Sequence, residues 1–184
     1  MKKSCNIGGL KYPASDTLTA RTSTLCRSMA CTLIKREPCT AEEEQKWLQF
    51  FPNKTCAYCG KPATHLDHLY PLVVSRKPTG YGTDPGNLVP CCGQCNQSKG
   101  NLDFEEFMRS DKCKHTVIEG NSLSASIEKR IENIKKFQSV FKPRRFIVTD
   151  SLLEEWNRIL NDFDASLEKA KNKLLTFQKD IYKE

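Results

Sequence analysis

The sequence predicts an α+β fold: a small core of two short extended segments and a helix, knotted by four cysteines, with a basic segment before it and long helices after it. Three observations predict it. Two Cys-x-x-Cys turns, C-A-Y-C at Cys56 and Cys59 and C-G-Q-C at Cys92 and Cys95, bracket 32 residues. Inside the bracket, the Gly/Pro-rich run K-P-T-G-Y-G-T-D-P-G reads as a loop between extended segments near 63–67 and 87–91. Further along, apolar residues recur at spacings of three and four, the helical period. The chain therefore divides into 1–53, a basic segment with a short helix; 54–110, the core; and 111–184, a helical region.

Residues 1–39 mix Ser, Thr, Cys and basic side chains without a clear period, and no element is assigned there. Thr40 with Glu43 forms a capping-box pattern. It opens a helix over 41–51 carrying Trp47, Leu48, Phe50 and Phe51 and stopped by Pro52. A helix from Asn96 through Ser110 would join Leu102, Phe104, Phe107 and Met108 in one apolar face. Over 123–141, Ile127, Ile131, Ile134, Phe137 and Phe141 mark a third, ended by Pro143. Over 151–183 a regular stripe runs through Trp156, Leu160, Phe163, Leu167, Ala170, Leu174, Phe177 and Ile181, with Ser151 and Glu154 as its capping box. Such a stripe needs an apolar partner: the 123–141 helix, or the same helix in a second subunit.

The formal net charge is +7, and the excess lies in the first half: 13 basic against 7 acidic side chains in residues 1–100. Lys2, Lys3, Lys11, Arg21, Arg27, Lys35 and Arg36 face only Asp16 in the first 36 residues. This fits a phosphate-binding segment; the alternative is a solubilising surface. No apolar core follows Lys2 and Lys3, so no signal peptide is expected, and no stretch is long and apolar enough to span a bilayer. Ten cysteines without a secretory signal point to reduced thiols and metal ligands in a cytoplasmic protein.

Each CxxC places two thiolates on one tight turn, and two such turns complete a tetrahedral sulfur site, the usual closed arrangement for structural Zn²⁺. Cys56, Cys59, Cys92 and Cys95 are the expected ligands; Cys91, adjoining Cys92, is the alternative. Cys5, Cys26, Cys31, Cys39 and Cys113 lack paired spacing.

Between and after the two turns stand Asp67-His68-Leu69-Tyr70-Pro71, Asn87-Leu88, Asn96 directly after Cys95, and Lys99-Gly100. With the cysteines these resemble the HNH endonuclease superfamily, the third name-giving residue being Asn in place of His. The resemblance covers roughly a quarter of the chain and leaves 1–53 and 111–184 outside it. It implies a ββα-metal fold, two antiparallel strands and a helix gripping one divalent ion. It also implies hydrolysis of DNA to 5′-phosphate and 3′-hydroxyl ends.

The residue chemistry suits that role. His68 titrates near neutrality and can take a proton from water. Asp67 and Asn96 are hard oxygen ligands for Mg²⁺ or Mn²⁺. Asn87 would orient His68 by hydrogen bonding, as in similar enzymes. His65 is expected in a supporting role near Asp67, and Lys99 either meets phosphate or is solvated. His115, in K-C-K-H, reads as an exposed linker. Lys135, Lys136, Lys142, Arg144 and Arg145 surround Phe137, Phe141 and Phe146, as a DNA-gripping surface or as a helix with solvated lysines. The expected protein is a bacterial or phage-encoded restriction-type enzyme, homodimeric, acting on double-stranded DNA, with 111–184 serving DNA binding or dimerisation. A homing or phage-type nicking nuclease, and a non-catalytic zinc-stabilised nucleic-acid-binding module, are the rival readings.

Overall fold

A computed structural model of the chain describes residues 6–7, 10–11, 22–33, 39–113 and 115–182. Lys2, Lys3, Arg21, Lys35 and Arg36 of the basic segment, and Cys5, lie outside the described residues. Strands β1 (Asn6–Ile7) and β2 (Leu10–Lys11) pair antiparallel, and helix α1 (Thr22–Leu33) follows. The Thr40 capping box forms: Thr40 Oγ1 accepts from the Glu43 N–H at 3.1 Å and Glu43 Oε2 from the Thr40 N–H at 2.9 Å. It opens helix α2 (Ala41–Phe50).

The core is a hairpin of distant strands. Strand β3 (His65–His68) pairs antiparallel with a strand twenty residues on, in the register Asp67 to Val89 and His68 to Leu88. The intervening chain carries β4 (Val73–Val74) and β5 (Lys77–Pro78), a tight turn of Ser75 and Arg76 between them. Both turn residues have left-handed φ, +49° and +65°. Two-residue hairpins favour Asn-Gly there, and each non-glycine residue so held costs about 1–3 kcal/mol. Strand β6 (Leu88–Cys91) completes the pair and leads into helix α3 (Gly93–Lys99).

The single helix expected over 96–110 is two. Gly100, with φ +53°, breaks the chain after α3. Asp103 then caps α4 (Phe104–Arg109), its Oδ1 accepting from the Glu105 and Glu106 N–H groups. Helix α5 (Leu123–Val140) buries Ile131, Ile134 and Phe137 as its spacing predicts. They join Phe51, Tyr58, Val89, Phe104 and Phe107 in one cluster that also contains the four paired cysteines. Edge-on contacts of Phe137 with Phe50 and Phe51, at 5.7 and 5.2 Å, tie α5 to α2.

Helix α6 (Asp150–Tyr182) starts one cap earlier than expected. Thr149 Oγ1 accepts from the Leu152 N–H at 3.1 Å, so Ser151 lies inside the first turn instead of capping it. Trp156 and Leu160 bury against Cys26 and Ala30 of α1 and Leu72 before β4. The stripe's first turns therefore pack on α1 rather than on the 123–141 helix, whereas Leu174, Phe177 and Ile181 are exposed. Among the described residues no helix is long and apolar enough to cross a membrane.

Candidate functional site

The Sγ atoms of Cys56, Cys59, Cys92 and Cys95 lie within 4.8 Å of one another. Sulfurs about 2.3 Å from a shared tetrahedral ion stand roughly 3.8 Å apart, so the four fit one metal ion. Cys92 is the N-cap of α3 and Cys95 sits in its first turn, which fixes the second pair against the first. Hydrogen bonds from Cys59 and then Cys95 hold the Cys56 thiol well below its usual range. Cys91 stands outside the set; burial, with the Asp67 charge next, pushes its thiol up to about 12. His115 is not in an exposed linker. Its Nε2 lies 3.1 Å from Cys95 Sγ, and the Val117 N–H donates to Cys59 O at 2.7 Å. Cys113 is buried beside them, so residues around 113–117 are drawn onto both cysteine turns.

On the other end of β3, Asp67, His68 and Asn96 line one cleft of about 310 Å³. Asp67 is buried, and its Oδ2 accepts from the Tyr58 hydroxyl at 2.8 Å and pairs with Lys99 Nζ at 3.2 Å. Burial, and next the Asp67 charge, pushes the Tyr58 phenol well above its usual range, so it stays a donor. Both partners engage the same oxygen; among the described residues Oδ1 receives no hydrogen bond. His68 Nε2 lies 2.9 Å from Thr83 Oγ1. The half-buried Asn96 reaches the cleft from α3, one residue past Cys95, so the cysteine cluster and the cleft share an element.

Residues 56–102 match the family model described as HNH endonuclease. This segment is an HNH endonuclease domain. Over 77 residues the chain is 39% identical to the CRISPR-associated endonuclease Cas9 of Corynebacterium diphtheriae. That alignment covers 42% of this chain and 7% of the relative, so the chain spans a small fraction of that protein's length. No solved structure matches the chain.

Within the HNH domain, the buried Asn87 side chain grips backbone. Its Oδ1 accepts from the Tyr70 N–H at 2.7 Å, and its Nδ2 donates to Tyr70 O and Gly82 O at 3.1 and 2.8 Å. Its hydrogen bonds thus hold the segments on either side of the loop, and Thr83 supplies a side-chain contact to His68. His65 lies outside the cleft, on a larger groove of about 790 Å³ with Trp47, Leu66, Leu88 and Pro90, its Nδ1 2.7 Å from Thr64 Oγ1. Arg144 and Arg145 are also away from the cleft: Arg144 pairs with Glu43 at 3.4 Å, and Arg145 lies over the Tyr81 ring at 4.6 Å.

Lys99 is neither solvated nor open to the cleft. It is 1% exposed, donates to His68 O at 3.0 Å and pairs with Asp67. Removing one member of a buried ion pair strands the other charge at a cost of about 3–5 kcal/mol. Lys99→Ala is expected to destabilise the fold by that order, read as a lowered denaturation midpoint. Tyr58 and Thr83 are the residues sequence reasoning missed. Tyr58 sits inside the first CxxC and Thr83 in a loop, and nothing in their spacing marks either one.

Proposed function

We propose that the chain is a metal-dependent DNA endonuclease in which His68 is the general base. The observation that carries the reading is the convergence of Asp67, His68 and Asn96 on one cleft beside the cysteine cluster. In this reading Cys56, Cys59, Cys92 and Cys95 hold a structural Zn²⁺, and the order β3, β6, α3 is that of a ββα-metal core. Asp67 and Asn96 would hold Mg²⁺ or Mn²⁺ in the cleft they line. When bound, that ion stabilises the charge that builds on the phosphate in the transition state.

The protein's own groups do the rest. His68 takes the proton of the attacking water, and the Thr83 hydroxyl beside Nε2 helps hold its ring. Lys99 and Tyr58 fix the Asp67 carboxylate, and Asn87 holds the backbone around the loop. The ends left are 5′-phosphate and 3′-hydroxyl. Likeness to an enzyme described as a CRISPR-associated endonuclease supports the nuclease reading alone. The restriction-type reading adds a homodimer cutting both strands of double-stranded DNA. The exposed Leu174, Phe177 and Ile181 of α6 favour it, as a helix face that suits a second copy.

Incubating the purified chain with supercoiled plasmid and Mg²⁺ or Mn²⁺ tests the proposal. Linear product from a sedimenting dimer supports the restriction form, and nicked circles from a monomer replace it with a nicking enzyme. DNA binding with no cutting under either ion removes the enzyme reading in favour of a binding module. Thr83→Val removes one hydrogen bond to the base, about 0.5–1.5 kcal/mol. It is expected to slow the chemical step roughly two- to tenfold at unchanged KM, in single-turnover cleavage.

A further inference from the structure

We infer that Arg27 of α1, with Arg76 of the β4–β5 turn, forms a clamp for a nucleic-acid phosphate in the cleft that holds Asp67, His68 and Asn96. The inference rests on the nuclease reading only for the identity of the polyanion. Among the described residues the cleft lining contains a single carboxylate, Asp67, which pairs with the buried Lys99. The arginines of the lining, among the described residues, are Arg27 and Arg76. A cleft that admits a phosphodiester needs positive groups reaching the anion, and the planar guanidinium suits two phosphate oxygens at once.

Two features mark these arginines as placed for a ligand. Arg27 is exposed and has no carboxylate partner among the described residues, although it lines a cleft. Arg76 occupies a left-handed turn position where glycine would relieve the backbone, and the turn is held there from outside. Trp156 Nε1 donates to Arg76 O at 2.7 Å, and Asp164 of α6 pairs with the Arg76 guanidinium at 2.7 Å. The side chain remains 47% exposed, so phosphate can displace Asp164. Arg27 also lies outside residues 56–102, so α1 extends the cleft beyond the HNH domain with a cation of its own.

The test uses the full chain, a fluorescent DNA duplex without added Mg²⁺, and a salt series. Arg27→Ala is the primary variant, since the exposed side chain makes no ion pair among the described residues; a matching melting curve checks its fold. Affinity at ~0.1 M salt is expected to fall roughly tenfold, and the slope of log K against log salt to flatten by about 0.9, one phosphate contact. Arg27→Lys should keep the slope. Arg76→Ala should behave as Arg27→Ala does. Unchanged affinity and slope in Arg27→Ala overturn the clamp, whatever happens to cleavage. If the wild-type chain binds and never cuts, while Arg27→Ala loses binding, the clamp stands and the nuclease reading falls.

Discussion

Cleavage by His68→Ala is expected to fall about 10²–10⁴-fold, with duplex affinity nearly unchanged, because the substitution removes a positioned general base and no phosphate-binding cation. The separation of the two effects is the point of the measurement. His68 is half-buried at the end of β3, and its Nε2 lies 2.9 Å from the Thr83 hydroxyl. The Asp67–Lys99 pair and the cysteine cluster do not depend on its ring. The variant should therefore melt as the wild type does, and single-turnover cleavage with saturating Mg²⁺ should show the whole loss. Cleavage within threefold of wild type would remove His68 as the base. An equal fall in affinity and rate would make it a binding residue instead.

The parts of this molecule that the sequence announces are those governed by spacing. The two CxxC turns meet in one cluster because each turn is local and β3–β6 pairing brings them together. The α5 stripe is buried where the three-and-four period places it. What the sequence hides depends on contacts between distant segments. Helix α1 buries Cys26 and Ala30, small residues that make no visible stripe among Ser and Thr. Lys99 looks like a surface cation, and only the fold reveals that it lies under Asp67. His115 is separated from Cys95 by a turn and a helix whose boundary at Gly100 the apolar pattern bridged. In the site itself, Asp67, His68 and Asn96 are legible as a motif, whereas Thr83, Tyr58 and Arg27 are set by loop and packing geometry.

Stripping the proposed Zn²⁺, or replacing Cys56 by serine, is expected to unfold the HNH domain. Structural zinc contributes ~10–16 kcal/mol of apparent folding free energy in small domains, against a total stability of about 5–15 kcal/mol for a typical protein. The four thiols sit inside the main apolar cluster, between the turn before β3 and the start of α3. Without an ion they would be close-packed sulfurs with no covalent tie between the two turns. The loss should reach the cleft directly, since Asn96 follows Cys95 in α3 and Lys99 of the same helix holds Asp67. Excess Mg²⁺ added to chelated protein should therefore fail to restore cleavage, and Zn²⁺ followed by Mg²⁺ should restore it. The thermal transition of the core should vanish on chelation and return with Zn²⁺, a readout independent of activity. A chelated protein that keeps its transition would show that packing alone holds β3, β6 and α3 together. In that case the cysteine cluster would not be a folding element, and Asn96 would owe its position to the apolar core around Phe107 and Phe137.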